Sequence, residues 1–304
     1  NEESYRKKHG IKTLKIELQE THCSPKEQKW LKEYQEIVVE TSTMSKEDWK
    51  KRNLFSVVLM VFHSFKVAFY IMNYLKREMK ISDKDFVEFI CNNVNKKEHP
   101  TIYSNLIKKI DDWTNDILKG KARSVYDQKH SDVYLDIEEI IFLGISEKFK
   151  LFYTELKDLV KDLIGRDNWK KNYKIINEIF MYQDLRIPRA NMNNLKLHFN
   201  YNIAEYMFGL VINKRIKLRK YANTVQTVNT KNYGDNYWEF TKKKVIWSRK
   251  NDKIKNEIDY DNKAIKKIEK RKIYKMKYSI KKHKVNMFDK LNKFKKYDSL
   301  DIKR

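Results

Sequence analysis

Glycine and proline are scarce in this chain, and their scarcity limits its fold more than any other feature of the sequence. Only six Gly and three Pro occur in 304 residues, whereas ordinary usage is about 7% and about 5%. Leu, Ile, Lys and Glu fill the long segments between them. Because β-sandwiches and barrels need many turns, this composition predicts a mainly α fold with a small mixed β portion, an α+β arrangement.

Side-chain periodicity and capping residues predict the order of the elements. Alternating or β-branched residues predict strands at 11–18, 34–40 and 195–199. Ser45, which is followed by acidic residues, predicts the start of one long helix that ends near Lys80. Further helices are predicted over 83–95, 101–119, 132–143, 146–164 and 169–183.

Three stretches are less regular. Residues 121–131 are polar and predict a connection, and a short apolar run, 207–212, follows the third predicted strand. Residues 236–248 place Trp, Phe and Val around three lysines, a pattern that fits a helix and a strand equally well. The chain is thus predicted to contain two strands and a loop at 1–45, a helical domain at 46–185, a small α/β portion at 186–260 and a basic helical tail at 261–304.

The formal net charge of +25 favours anionic partners such as nucleic-acid phosphates or acidic lipid headgroups. Residues 261–304 hold 17 Lys or Arg against 5 Asp or Glu, a net +12. Their loosely spaced apolar residues predict a basic amphipathic helix. Two explanations stay open: the charge binds an anionic partner, or it reflects a bias toward Lys, Asn and Ile that an AT-rich coding sequence would produce in any protein.

The cysteines and the one long apolar stretch bear on where the protein works. Cys23 and Cys91 are the only cysteines and form no CxxC pair, which predicts a reducing compartment and hence the cytoplasm. Residues 54–75 are apolar over a length that could span a membrane. However, His63 and Lys66 lie near the centre, where a charged residue costs about 2.5–3.5 kcal/mol on insertion. We therefore predict a buried core helix and no transmembrane span.

Familiar catalytic patterns do not occur in the sequence. The seven His form neither an HExxH motif nor a pair at helical spacing, so no metal site is predicted. No glycine-rich phosphate loop and no nucleophile elbow occurs. Neighbouring carboxylates such as Asp111 and Asp112 do not face each other on a helix. The chain alone is therefore predicted to be non-catalytic, with no catalytic, cofactor-binding or metal-binding residue of its own.

Several blocks nevertheless resemble one protein family, and they occur in the same order as in that family. Residues 5–13 read YRKKHGIKT and residues 37–49 read IVVETSTMSKEDW. Residues 53–75 form a long apolar segment in which an aromatic residue, a histidine and a small residue follow one another, as Phe62, His63 and Ser64. Two further blocks are 180–206 and 238–250. Together they resemble the region that follows the catalytic barrel in cobalamin-binding radical S-adenosylmethionine (SAM) enzymes. The resemblance covers about residues 1–250.

This resemblance implies a larger protein, with an amino-terminal cobalamin domain and a partial barrel whose C-x-x-x-C-x-x-C loop binds a 4Fe–4S cluster and cleaves SAM. Such a cluster takes three cysteines from one short loop, whereas Cys23 and Cys91 are 68 residues apart. The implied role is a carboxy-terminal accessory domain that caps the substrate, without the iron–sulfur motif. Its implied partners are the barrel and cobalamin domain of the same polypeptide, with a small-molecule or peptide substrate.

A substrate pocket is the site that this role would require. Residues 40–43 leave a predicted strand just before a capped helix, a place where side chains can line a cavity. For these four residues the alternative is plain loop and capping structure. For His63 two interpretations stay open, a proton shuttle and a hydrogen-bonded core histidine. The predicted substrate-pocket residues are Glu40, Thr41, Ser42, Thr43, Trp49 and His63.

Two other classes of function fit the composition. A nucleic-acid-binding protein would use the basic half at 213–304, where Lys and Arg alternate with Tyr, Trp and Phe, although no RNP box or zinc knuckle is present. Its affinity would fall steeply with salt. A peripheral membrane protein held by the basic tail is the third hypothesis. The chain begins at Asn1 and not at Met, so we expect it to be a segment of a longer polypeptide.

Overall fold

The computed structural model describes residues 2–25, 31–93, 101–185, 196–211, 215–226 and 239. The chain divides into two units, Asn1–Asn256 and Glu257–Arg304, and all the described residues lie in the first unit. The predictions for the tail at 261–304, and for 236–248 apart from residue 239, therefore lie outside the described residues.

Helices predominate over strands among the described residues, which confirms the predicted mainly α fold with a small β portion. The α-helices are α1 (Glu2–Lys8), α2 (Lys46–Leu59), α3 (Phe69–Glu78), α4 (Asp83–Asn93), α5 (Ile102–Leu118), α6 (Ile137–Ser146), α7 (Phe149–Ile164), α8 (Arg166–Leu185) and α9 (Ile203–Val211). The strands are β1 (Lys12–Leu18), β2 (Glu33–Glu40), β3 (Val125–Asp127), β4 (Val133–Leu135), β5 (Lys196–Tyr201) and β6 (Lys220–Gln226).

The strands form three separate two-stranded antiparallel sheets, β1–β2, β3–β4 and β5–β6. In the first sheet Thr13 pairs with Val38 and Glu17 with Tyr34, and a β-bulge separates the pairs formed by Lys12 and Thr13. The strands predicted at 11–18, 34–40 and 195–199 are thus confirmed as β1, β2 and β5.

Two sequence predictions are wrong in the middle of the chain. The helix predicted over 132–143 begins only at Ile137, because β3 and β4 form a hairpin within 125–135 and Asp136 then caps α6 through a capping box with Glu139. The second concerns the long helix predicted from Ser45 to Lys80, which is broken. The first part is α2, which runs into a π-helical turn at Met60–Ser64.

After the π-helical turn the chain bends before α3, and the two helical segments meet at 95°. Lys66 has a φ of 62°, the left-handed region that breaks a helix. Phe65 N donates to Met60 O at 3.0 Å and Ala68 N to Phe62 O at 2.9 Å. No single helix among the described residues is long and apolar enough to cross a membrane, although this bent pair together meets the same length and composition test.

Aromatic side chains dominate the core of the helical region. The ring of Phe62 makes edge contacts with Phe86, Tyr103 and Phe152, with centroids 5.9–6.2 Å apart. These rings come from four segments, so the π-helical turn lies at the centre of the packing. Since each buried aromatic side chain removes a large apolar area from water, this cluster stabilises the whole helical body.

Candidate functional site

The predicted pocket residues 40–43 form a tight corner between β2 and α2. Thr41 N donates to Met44 O at 2.8 Å and Met44 N donates to Thr41 O at 3.3 Å, which closes a turn with Ser42 and Thr43 at its tip. The side chain of Thr41 folds inward, because its Oγ1 accepts from Thr43 N at 3.3 Å. Ser42 and Thr43 are exposed. We call residues 40–44 the β2–α2 corner.

A capping box fixes the start of α2 directly after this corner. Ser45 Oγ accepts from Asp48 N at 3.1 Å, and Asp48 Oδ2 accepts from Ser45 N at 3.1 Å. Hydrogen bonds from the Ser45 hydroxyl and backbone hold the pKa of Asp48 below its usual value. The reciprocal bonds satisfy two otherwise unpaired donors, so the corner enters the helix in one conformation.

The amino-terminal turn supports the corner from the other side. Ser42 N donates to His9 O at 2.9 Å. Gly10 has a φ of 58°, and a Cβ added there would lie 3.1 Å from Ser42 N. A side chain at residue 10 would therefore be strained and crowded. The backbone N–H of Ser42 is bound, whereas its hydroxyl has no hydrogen-bond partner among the described residues.

The other predicted pocket residues occupy different environments. Glu40 Oε1 accepts from Lys12 Nζ at 2.5 Å across the sheet. Trp49 is 2% exposed and packs with Ile16, Val39 and Ile117, so it anchors α2 onto the β1–β2 sheet. The structure therefore places Trp49 in the core beneath the corner.

His63 lies far from the corner. It is in the π-helical turn, fourteen residues after Trp49, which corresponds to about 21 Å along a helix at 1.5 Å per residue. Its ring contacts Phe69 edge-on, with centroids 5.1 Å apart. The structure thus brings residues 40–43 together and leaves His63 at the helix break.

The helix break is stabilised by residues that sequence reasoning missed. Gln183, which is fully buried, donates from Nε2 to Lys66 O at 2.5 Å and accepts at Oε1 from Tyr70 N at 2.9 Å. Tyr153 OH donates to Val67 O at 3.0 Å. These bonds satisfy backbone groups that the bend removes from the helical ladder. The only sequence signal was a pair of polar residues, at 63 and 66, inside an apolar run.

Two histidines bind buried carboxylates outside the corner. His22 Nε2 lies 2.9 Å from Glu139 Oε2, and Glu139 is fully buried. Burial raises the pKa of Glu139, although the hydrogen bond with His22 acts in the opposite direction. The backbone of His22 is left-handed, with a φ of 65°. This pair ties the loop after β1 to the start of α6.

The second histidine, His130, lies between two carboxylates. Its Nδ1 is 3.1 Å from Asp127 Oδ1, and its Nε2 contacts Glu147. Burial acts to raise the pKa of Glu147, but hydrogen bonds with Lys129 and His130 outweigh it and lower that pKa overall. This ion-pair network joins the β3–β4 hairpin to the end of α6.

Metal-binding groups are not assembled in the described part of the chain. No group of three or more His, Cys, Asp or Glu there could hold a metal ion. Cys23 follows β1 and Cys91 lies in α4, and two thiols are too few for the cysteine loop of an iron–sulfur cluster. The residues of this chain do not fit such a cluster, so no step of its chemistry is assigned to them.

Comparison with known proteins gives no assignment. No protein-family model matches the chain, and no curated protein matches it significantly.

Proposed function

We propose that this chain is an accessory domain that caps the substrate side of a cobalamin-dependent radical SAM enzyme. The observation that carries the proposal is the β2–α2 corner, whose sequence lies within the block 37–49 that resembles the family. The strand, the corner and the capped helix fold as one continuous unit locked by Trp49. A rigid unit of this kind can present side chains to a neighbouring active site.

The exposed tip of the corner offers two hydroxyl groups. Ser42 and Thr43 are exposed at its tip, while Glu40 is held by Lys12. Hydroxyls both donate and accept hydrogen bonds, which suits the orientation of a polar substrate. The role assigned to the domain is to position the substrate and exclude water, while the radical chemistry belongs to the other domains of the enzyme.

The test replaces the two exposed hydroxyl residues in the complete enzyme. We expect Ser42→Ala combined with Thr43→Val to weaken substrate binding by about tenfold, since a lost hydrogen bond is worth about 1–1.5 kcal/mol. The measurement is KM and kcat. Thr154→Val is the matched control, because Thr154 is also exposed but lies on α7. Unchanged KM and kcat in the double variant would overturn the assignment of the corner.

A second candidate function is nucleic-acid binding, which one surface of α8 favours. Arg166, Lys170 and Lys174 follow one another at four-residue spacing on this helix and are exposed. Among the described residues, no ion pair joins any of these three cations to a carboxylate. Trp169 and Tyr173 are also four residues apart on α8, next to Lys170 and Lys174 in sequence. Basic residues beside aromatic rings suit the binding of phosphates and stacked bases.

Salt dependence tests this second candidate. The probe is a single-stranded oligonucleotide, and its affinity should fall steeply as salt rises. Lys170→Glu with Lys174→Glu should weaken binding, whereas the same change at Lys84 and Lys108, which are already ion-paired, should weaken it less. A flat salt response would exclude this function.

A further inference from the structure

Acidic residues are almost missing from one stretch of the sequence, residues 185–234. Glu205 is the only one there, against nine Lys or Arg, whereas the whole chain carries 41 Asp or Glu. A bias toward Lys, Asn and Ile across the whole chain would add cations, but it would not remove Asp and Glu from one stretch. The local excess of positive charge therefore needs a separate explanation.

The described residues 215–221 carry this charge on one side. Arg215, Lys217 and Arg219 are exposed, whereas the two aliphatic residues between them are partly buried. Such alternation is typical of a strand-like backbone, in which every second side chain shares a face. Tyr221 follows at the same spacing and is 40% exposed. We call these four residues the basic ridge.

A buried asparagine holds the backbone of the basic ridge in place. Asn202 is 2% exposed. It donates from Nδ2 to Lys217 O at 3.1 Å and accepts at Oδ1 from Arg219 N at 2.8 Å. Asn202 N also donates to Arg219 O at 3.1 Å. Because three hydrogen bonds from one buried residue fix this backbone, the exposed cations are presented in a preorganised row.

The cations of the basic ridge are available to an external anion. Arg215 and Lys217 form no ion pair with any other residue that the structure describes. Arg219 lies 3.7 Å from Glu205 Oε2, but its side chain stays 61% exposed, and an exposed ion pair of this kind is weak. The Cζ of Arg219 also lies 5.9 Å from the ring centroid of Tyr221, within cation–π distance.

The basic ridge continues the row of cations on α8. Glu178 of α8 accepts from Asn200 N at 2.8 Å and from Tyr201 N at 3.1 Å. Tyr201 in turn pairs with Lys220, which lies within the sequence of the ridge. Lys174 is exposed one turn before Glu178, on the same face of α8. Exposed cations therefore extend from α8 past the end of β5 to the basic ridge.

We propose that the basic ridge binds the sugar–phosphate backbone of a single-stranded nucleic acid, and that Tyr221 stacks on one of its bases. This inference rests on the second candidate function and extends its surface from α8 to the β5–β6 sheet. A row of cations beside an exposed aromatic ring suits a linear polyanion that carries bases.

An acidic membrane is a poorer partner for the same surface. Binding at a membrane interface combines positive charge with apolar side chains that enter the lipid. Ile216 and Leu218, the aliphatic residues between the cations, are partly buried in the protein. The basic ridge therefore offers charge and one aromatic ring, but no exposed aliphatic side chain.

Fluorescence anisotropy of a labelled oligothymidine tests the proposal on the 304-residue chain. Arg215→Ala with Lys217→Ala should weaken binding by about tenfold. The slope of log affinity against log salt should become shallower by about 1.4, since each of two phosphate contacts contributes about 0.7. An unchanged slope in this ridge variant overturns the proposal.

The matched control removes the same charge elsewhere. Lys84→Ala with Lys108→Ala lowers the net charge equally, but these residues lie on α4 and α5, and the salt slope should not change. Equal slope changes in the two double variants overturn the proposal. All the substituted side chains are exposed, so every variant should keep the melting temperature of the wild type.

Substitution of Tyr221 tests the stacking separately from the charge. Tyr221→Leu should weaken binding by about tenfold and leave the salt slope unchanged, because a stacked base is lost and no phosphate contact is removed. Tyr221→Phe keeps the ring and should retain the affinity. Wild-type affinity in Tyr221→Leu overturns the role assigned to Tyr221.

The variants on α8 separate the basic ridge from the second candidate function. If Lys170→Glu with Lys174→Glu weakens binding and the ridge variant does not, the ridge alone is overturned and the function of α8 stands. If the wild-type chain binds no oligonucleotide, both are overturned. Binding to vesicles of phosphatidylserine and phosphatidylcholine, without binding to the oligonucleotide, likewise overturns both.

Discussion

The side-chain amide of Gln183 accepts a hydrogen bond from the backbone N–H of Tyr70 at 2.9 Å, across 113 residues of sequence. The same amide donates to Lys66 O, on the other side of the helix break. One buried side chain thus bridges the two ends of the bend. The bend in turn sets the direction of α3 and the position of the π-helical turn that carries His63.

We expect Gln183→Leu to lower the free energy of unfolding by about 3 kcal/mol, because it removes the hydrogen bonds to the buried Tyr70 N–H and the part-buried Lys66 C=O. Urea unfolding measures the change as a shift in midpoint at constant slope. Gln128→Leu is the control, since Gln128 is exposed and its loss should change stability by less than about 0.5 kcal/mol. Equal midpoints for the two variants would contradict the bridging role.

Glu178 has a similar role at the β5–β6 sheet. Its Oε1 accepts from Asn200 N at 2.8 Å and its Oε2 from Tyr201 N at 3.1 Å, and its side chain is almost fully buried. Glu178→Ala should cost about 3 kcal/mol, since hydrogen bonds to a charged acceptor are among the strongest. Glu88→Ala removes only an exposed ion pair with Lys84 and should cost less than about 1 kcal/mol. Thermal unfolding of both variants measures the difference.

Replacement by alanine should change the stability of the protein in opposite directions at Gly10 and at Gly144. Gly10→Ala should destabilise the protein by about 1–2 kcal/mol, because φ is 58° and the added Cβ would crowd Ser42 N. Gly144→Ala should stabilise it by up to about 1 kcal/mol, because Gly144 lies within α6 and the nearest contact of the new Cβ is 4.0 Å away. Melting temperatures that move in the same direction would contradict the geometry of the amino-terminal turn.

Glu139 should make folding less favourable as the pH rises. Burial raises its pKa above the ordinary 4.5, so the folded state binds its proton more tightly than the unfolded state does. The free energy of unfolding therefore falls as the pH rises from 4.5 through the folded-state pKa. Glu139→Gln cannot ionise and should lose this dependence. Urea unfolding of both proteins from pH 4.5 to about 7 measures it, and a constant difference between them would exclude the effect.

Glu147 should make folding more favourable as the pH rises, which is the opposite of the effect of Glu139. Burial acts to raise its pKa, but hydrogen bonds with Lys129 and His130 outweigh it and bring that pKa below the ordinary 4.5. Its contribution to stability is therefore present above pH 4.5 and is lost as the pH falls through the folded-state pKa. In acid titrations followed by circular dichroism, the difference in stability between Glu147→Gln and the wild type should become smaller as the pH falls. A difference that grows toward acid pH would contradict this sign.

The sequence predicted elements whose signals are local. Alternation along 11–18 and 34–40 reflects one buried face, and Ser45 with Asp48 signals a helix start from residues three apart. The helix break is different, because it depends on Gln183 and Tyr153, which approach from distant segments. A local pattern cannot report a partner that only tertiary structure supplies.

The candidate site likewise contains features that local sequence signals predict and features that depend on tertiary contacts. The β2–α2 corner was predictable, since a strand, a short turn and a capped helix follow each other in sequence. The burial of Trp49 depends on Ile117 from α5, and the separation of His63 follows from the length of α2.

The cofactor content of the native polypeptide that contains these residues, purified from its source without oxygen, tests the proposed function. Cobalamin and iron are quantified against protein. The proposed function predicts that a corrinoid and a four-iron cluster co-purify with that polypeptide, both held by domains other than this one. A native polypeptide with neither cofactor, and no bound partner that carries them, would contradict the proposed function.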